Sequence, residues 1–467
     1  MRRKPVEVVT VIVLLTVVLS LLQYCLPSLV TAQVLNQKVD SLLARNCTGL
    51  FPPTGTGLFP AGLQAIGIGP NLARICGSPQ TQGATSEGGG AASVQGSAVS
   101  ILNRALIQRM DETDEEEGKD HKRSSSLMFS PMGMVLGGLA GNRSVSSPFY
   151  ASTTANGGSA ASFSTSSQNR WNGLGFFATG LVESLNRDIT TFQNGYKSTI
   201  LGITAGADYR FNKKLVAGLA LNYSNTDGDF SSGGGNFSTN SYGGLLFASY
   251  LPTDKSFLQI TGGYIRNNYL VSRLASAFIA GNDPINPLLG SRNTSGTASS
   301  NSDGDVFNVG FLSGYDHPIG RFTVGPRAGL NWTNTHIHGY NESGSTGVEL
   351  AYQDQYVNSL QSVLGIQGSA AFSTAVAVLV PQVNADYIHE FANSQRFINV
   401  RFAEDNRANP TFFRFQNDVP VRNYFNLGTG LLAVLPNGWQ TFANFRAMVG
   451  NSQFNDYAGT FGLRIAM

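Results

Sequence analysis

Apolar and polar residues alternate with a period of two along the second half of the chain. Residues 199–211 read TILGITAGADYRF, in which the odd positions from Leu201 to Phe211 are apolar or aromatic. The even positions from Gly202 to Arg210 are small or polar. Because successive side chains of a β-strand point to opposite faces, this pattern predicts a strand with one apolar face and one small or polar face.

The same alternation recurs along the chain, and we predict twelve strands from it. An even number of antiparallel strands is typical of a closed bacterial barrel. The predicted strands cover residues 171–181, 199–211, 214–225, 240–251, 256–270, 305–317, 321–335, 359–373, 375–389, 423–435, 439–449 and 456–467.

Short and long gaps between these segments alternate strictly. The short gaps are pairs or runs such as Asn212 and Lys213, PTDK, PIG and PNG. The long gaps are rich in Gly, Ser, Asn and Asp and cover residues 182–198, 226–239, 271–304, 336–358 and 390–422. Transmembrane β-barrels sort their connections in this way, with tight periplasmic turns and long external loops. The sequence therefore predicts an all-β fold, a twelve-stranded antiparallel transmembrane β-barrel over residues 170–467, preceded by a helical linker segment.

Charged and polar residues on the inward parity of the predicted strands support this interpretation. Charge facing hydrocarbon is costly, so these residues are expected to face the lumen. The predicted lumen-facing polar residues are Asp208, Arg210, Arg327, Asp386, Asn444, Arg446 and Arg464. Tyr209, Tyr223, Tyr250 and Trp439 lie near segment ends, as an aromatic girdle requires.

The N-terminus indicates export. Three basic residues, an apolar stretch from Val8 to Leu22 and a small residue at Ala32 predict a secretory signal peptide over residues 1–32. An uncleaved inner-membrane anchor is the alternative, since about 17 apolar-leaning residues can just span a bilayer. Cleavage would leave Cys47 and Cys76, and such a pair in an exported chain predicts a disulfide, with two free buried thiols as the alternative.

Three further regions separate the signal from the barrel. Residues 33–90 are broken by Pro and Gly and are interpreted as a short passenger-like segment that carries the disulfide. Residues 91–110 show a helical apolar pattern and are predicted to form a linker helix about 30 Å long. Residues 111–169 are interpreted as a connector that is first charged and then rich in Ser and Gly.

Composition argues against an enzyme and against a nucleic-acid partner. Only 13% of residues are charged, the net charge is +2, and no Walker loop, G-x-S-x-G or H-E-x-x-H motif occurs. His336 and His338 point to the same side of a strand end, but without further ligands at recognisable spacing they are interpreted as surface residues. No catalytic residue, cofactor or metal site is predicted.

The order of motifs resembles the β-domain of autotransporters, the self-translocating outer-membrane proteins of Gram-negative bacteria. The motifs are TILGITAGADYRFNKKLVAGLALNYSNTDGDF, SDGDVFNVGFLSGYDHPIGRFTVGPRAGLNW, VLVPQVNADYIHEF, YFNLGTGLLAVLPNGWQTFANFRAMVG and the terminal FGLRI. The resemblance covers roughly residues 171–467. It implies a type V secretion barrel of the bacterial outer membrane, with a helix in its lumen and an N-terminal passenger carried to the cell surface.

The resemblance also implies partners and a function. The surroundings would be outer-membrane lipid and lipopolysaccharide, and the partners would be the β-barrel assembly machinery and periplasmic chaperones, with a monomeric barrel. The implied C-terminal assembly signal comprises Phe461, Leu463, Ile465 and Met467. The expected function is to anchor, and to export or display, the short N-terminal segment; the alternatives are a porin-like channel without a passenger and an adhesin that acts through its long loops.

Overall fold

The structure is a computed structural model, and it describes part of the chain. The described residues are 71, 125–129, 135–138, 141–144, 149–153 and 174–466, the last range apart from 190–194, 213, 254, 280–291, 393, 395–396, 417 and 436–438. The predicted signal peptide, the disulfide between Cys47 and Cys76 and the helix at residues 91–110 lie outside them. No helix among the described residues combines the length and the apolar character needed to cross a bilayer.

Twelve antiparallel strands form a closed barrel, which confirms the predicted fold class. Each strand pairs with the next along the chain, and the last pairs with the first from Phe454↔Arg187 to Ala466↔Gly175. The strands are β1 (Leu174–Arg187), β2 (Tyr196–Asn212), β3 (Leu215–Phe230), β4 (Gly235–Thr253), β5 (Ser256–Ile279), β6 (Arg292–Tyr315), β7 (Phe322–Ile337), β8 (Gln355–Ala370), β9 (Val378–Glu390), β10 (Asn423–Val434), β11 (Trp439–Val449) and β12 (Phe454–Ala466).

The two parities of each strand face two different environments. On β2 and β3, Leu201 and Leu221 point outward and are 54% and 67% exposed, whereas inward Thr204 is fully buried. Apolar side chains on the outside can contact the hydrocarbon of the membrane. Closure of the ring gives the backbone groups of every strand edge a hydrogen-bonding partner. The alternation seen in the sequence is thus the alternation of a lipid face and an interior face.

Several strands are longer than the sequence pattern indicates. β5 and β6 each have 24 residues and remain paired up to Arg292↔Ile279, through a stretch predicted to be a loop. A membrane crossing needs only about 9–11 tilted residues, so this hairpin projects beyond the hydrocarbon. The Ser- and Asn-rich extension lacks the alternation of apolar and polar residues, because neither face of a solvated strand has to be apolar.

Two long connections also contain a sheet of their own, which we call the external sheet. It has four strands in the order Tyr340–Asn341, Leu350–Tyr352, Phe397–Phe402 and Phe413–Gln416. It joins the β7–β8 connection to the β9–β10 connection through Leu350↔Phe402. Both regions were predicted to be loops, and the pairing that orders them is between segments about 50 residues apart in sequence.

Short strands also occur within the predicted connector. Ser125–Phe129 pairs with Phe149–Thr153, and Val135–Gly138 pairs with Gly141–Ser144, both antiparallel. The Ser- and Gly-rich composition of this region did not indicate strands.

Candidate functional site

Ion pairs cross the interior of the barrel between strands that are not neighbours. Arg327 on β7 donates from Nε to Asp386 Oδ1 on β9 at 2.7 Å, and its Nη2 contacts the other carboxylate oxygen. Both side chains are 0% exposed. Asn384 also donates to Asp386, at 2.8 Å. Two of the predicted lumen-facing residues are therefore brought together as a two-point, fully buried pair.

The strand between these partners carries a glycine at the crossing point. Gly365 on β8 pairs with Arg327 on one side and with Asp386 on the other. A Cβ at this position would lie 2.0 Å from Asp386 Oδ1 and 3.1 Å from Arg327 Nε. The missing side chain is what allows the ion pair to pass over β8.

A second interior pair repeats this arrangement across β12. Arg446 on β11 donates to Asp456 at 2.8 Å and lies 3.3 Å from Glu183 on β1. The residue between the outer partners is the small Ala458, which pairs with Arg446 and with Glu183. One guanidinium therefore meets two carboxylates inside the barrel.

The remaining predicted interior residues are placed as follows. Arg464 Nε lies 3.8 Å from Asp208 Oδ2, with both side chains buried. Asn444 is buried on the inward parity of β11, and Arg210 is half-buried near the end of β2.

Two aromatic side chains pack along the interior wall near the short-turn end of the barrel. Phe177 on β1 and Phe247 on β4 make an edge contact with ring centroids 6.2 Å apart, although two strands separate them. The Phe177 ring packs over Gly206, where a Cβ would lie 2.3 Å from its Cζ. The Phe247 ring packs over Gly218 on β3 in the same way, so both rings lie along the inner wall.

Buried ion pairs also hold the long connections to the barrel strands. Arg273 on β5 donates to both oxygens of Glu342 in the β7–β8 connection, at 2.7 and 2.6 Å, and to the Val348 carbonyl at 2.9 Å. Arg187 at the end of β1 contacts Asp418 in the β9–β10 connection. These connections are therefore tied to the barrel wall by charge-assisted hydrogen bonds.

The β9–β10 connection is ordered locally around Asp405. Arg407 donates to both oxygens of Asp405, at 2.7 and 2.6 Å, and the Thr411 backbone N–H donates at 3.0 Å. Burial acts to raise the pKa of Asp405, but these donors outweigh it and hold the pKa below its usual range. The next residue back, Glu404, accepts a hydrogen bond from the Asn71 side-chain amide at 2.9 Å.

The last strand presents its apolar residues to the outside. Phe461 and Leu463 are exposed on the outward parity of β12, and Ile465 is half-buried on the same parity. Met467 lies outside the described residues.

Sequence reasoning missed the carboxylates that complete the interior pairs. Glu183 lies beyond the end of the first predicted strand, and Asp456 was not singled out although it shares the parity of Arg464. Glu342 and Asp418 lie in gaps predicted to be loops. Parity would have placed Glu183 and Asp456 inside the barrel, but only the register shows which arginine each one meets.

A closed antiparallel barrel with an apolar outer face and a charged, buried interior defines a transmembrane β-barrel of the bacterial outer membrane. Residues 176–446, more than half of the chain, match the family model described as the autotransporter β-domain. The chain belongs to this family, as its sequence motifs indicated.

Individual relatives are distant. Outer membrane protein B of Rickettsia typhi is 23% identical over 242 residues, which make up 50% of this chain and 14% of that protein. The translocator domain of the autotransporter NalP from Neisseria meningitidis is 17% identical, with 64% of this chain and 90% of that chain covered and a TM-score of 0.48. The β-domain of the Bordetella autotransporter BrkA is 15% identical, with 63% and 100% covered and a TM-score of 0.45.

Proposed function

We propose that the barrel anchors residues 33–90 in the outer membrane and presents them at the external surface. The observation that supports this most directly is the hydrogen bond from Asn71 to Glu404. Glu404 lies in the β9–β10 connection, and the long connections of such barrels are the external ones. Asn71 belongs to the N-terminal segment, so this contact argues for a segment held at the external mouth.

The buried ion pairs inside the barrel favour an anchor over a porin-like channel. The Arg327–Asp386 pair is fully buried, and the Arg446–Asp456 pair is buried in the same interior. A porin interior is instead lined by side chains in contact with water. We therefore expect low conductance in planar bilayers, and a large open-channel conductance would favour the channel.

The outward apolar residues of β12 support a role in assembly. We propose that Phe461 and Leu463, exposed on the membrane face of the last strand, are read by the β-barrel assembly machinery before they meet lipid. The barrel then functions as a monomer in outer-membrane lipid and lipopolysaccharide, and no catalytic role is assigned to it.

Protease treatment of intact cells tests the display function. An epitope inserted near residue 60 is expected to be removed, as is an epitope in the β5–β6 connection near residue 285. An epitope at residues 436–438, in the short β10–β11 turn, is the protected control. Removal at 285 with protection at 60 would contradict display of the N-terminal segment.

A further inference from the structure

Three side chains with metal-ligand chemistry converge on the outer face of β6, at the level where β7 reaches its long-connection end. Asp305, His336 and His338 each offer a ligand atom, and these atoms all lie within 4.8 Å of one another. His338 Nε2 is 2.9 Å from Asp305 Oδ2, and the two imidazole ring centroids are 4.3 Å apart. The sequence showed the two histidines, whereas Asp305 comes from another strand.

Strand register accounts for this convergence. Asp305 on β6 pairs directly with His336 on β7, so the two side chains share one face. His338 follows two positions later and extends from the same side. Arg266 and Tyr356 flank the pair on β5 and β8 in the same row, on the outer surface of the barrel.

The cluster is accessible to ions from water. The side chains of His338 and Asp305 are 41% and 18% exposed. Tyr264 and Tyr356, exposed on the same outer face, are aromatic residues of the kind that mark a membrane interface. The cluster therefore lies at the external edge of the hydrocarbon, where ions can reach it.

The donor set is that of a transition metal. Two imidazoles with one carboxylate suit Zn²⁺ and related ions, whereas Ca²⁺ and Mg²⁺ prefer oxygen alone. Metal–donor distances of about 2.0–2.2 Å place the donors of a tetrahedral site roughly 3.3 Å apart. The donors now lie within 4.8 Å of one another, so they must move closer together when a metal binds. Asp354, with Oδ2 3.2 Å from His336 Nε2, is close enough to add a fourth ligand.

One cation already lies in the cluster. Arg266 Nη1 donates to both oxygens of Asp305, at 2.9 and 3.0 Å, and its Nη2 donates to Asp303 at 2.8 Å. The cluster has three carboxylates, those of Asp303, Asp305 and Asp354, around this one guanidinium. The carboxylates are therefore in excess by two. A divalent ion would neutralise the excess, but it must compete with Arg266 for the Asp305 carboxylate.

We propose that Asp305, His336 and His338 form a binding site for a divalent transition-metal ion of the zinc class on the outer surface of the barrel. Arg266 holds Asp305 when the metal is absent and swings toward Asp303 when the metal binds. The site is independent of the display function, because it involves neither the interior nor the N-terminal segment.

Titration of the folded full-length chain in detergent with Zn²⁺ by calorimetry tests the site, with cysteines alkylated to remove thiol ligands. We expect the original chain to bind one ion. The double variant His336→Gln with His338→Gln should bind it at least about tenfold more weakly, because changing even the partners of metal ligands typically costs that much affinity. His389→Gln is the matched control, since His389 bonds Asn423 on another part of the barrel and its loss should change nothing. Equal binding by the double variant and the original chain would overturn the proposal.

Arg266→Gln provides a second, opposite readout. Removing the competing guanidinium should tighten Zn²⁺ binding severalfold, and Mg²⁺ should not compete for the site. Folding of each variant is checked by heat-modifiable migration on gels. Unchanged or weaker Zn²⁺ binding by a folded Arg266→Gln variant would contradict competition at Asp305 and so the assigned ligand set.

Discussion

Arg327 and Asp386 form a fully buried two-point ion pair although a complete strand, β8, lies between them. The pair ties β7 to β9 independently of the backbone ladder. Its desolvation is costly, so its contribution depends on both partners being present.

Removing one partner should be far more damaging than removing both. Arg327→Met is expected to cost about 3–5 kcal/mol of unfolding free energy, because it leaves the Asp386 charge buried without its partner. The double variant Arg327→Met with Asp386→Leu should recover most of that loss. Guanidinium unfolding in lipid vesicles measures both, and additive losses would contradict a coupled pair.

Gly365→Ala should weaken the same pair without removing either charge. Its Cβ would fall 2.0 Å from Asp386 Oδ1 and displace the carboxylate. Gly368→Ala on the same strand is the matched control, since its nearest neighbour would be Val383 Cγ2 at 3.7 Å. We expect a lower unfolding midpoint for the first variant only, and equal midpoints would show that the glycine has no steric role.

The alternation of apolar and polar residues predicted much of this fold, but not which side chains contact one another inside it. Odd and even positions from Leu201 to Arg210 were enough to separate lipid face from interior, because that division depends only on the period of a strand. Which carboxylate meets Arg446 depends on the register of three strands, and no local pattern encodes it. The external sheet was missed for a similar reason, since Leu350 and Phe402 pair over a long sequence distance in solvated, Gly- and Asn-rich segments.

Asp316, in the connection between β6 and β7 outside the membrane-spanning strands, should make stability depend on pH. Burial raises its pKa from 3.8 to about 7, with only a partly opposing hydrogen bond from Gln367. Between about pH 4 and pH 7 the Asp316 carboxyl has lost its proton in the unfolded chain but keeps it in the folded chain. The free energy of unfolding should therefore fall as pH rises through this range and level off above about pH 7.

Asp316→Asn isolates this effect. The variant should lack the decline between about pH 4 and pH 7 that the original chain shows in unfolding free energy. Parallel pH profiles for the two proteins would mean that Asp316 does not keep its proton in the folded barrel.

Charge on the outer face should be poorly tolerated in the middle of a strand. Leu219 is outward-facing on β3 and 53% exposed, so Leu219→Arg is expected to cost about 2–4 kcal/mol in a bilayer. Leu219→Met keeps an apolar contact with lipid and should cost little. Similar folding yields in vesicles for both variants would contradict the assignment of this face to lipid.

Exposure of residue 71 on living cells tests the proposed display function most directly. In a chain with Cys47 and Cys76 replaced by serine, Asn71→Cys should react with a membrane-impermeant maleimide on intact cells, as should Ala408→Cys in the β9–β10 connection. Ala375→Cys, in the short β8–β9 turn, should react only after the outer membrane is permeabilised. If Asn71→Cys behaves like Ala375→Cys instead of Ala408→Cys, the N-terminal segment is not at the external surface.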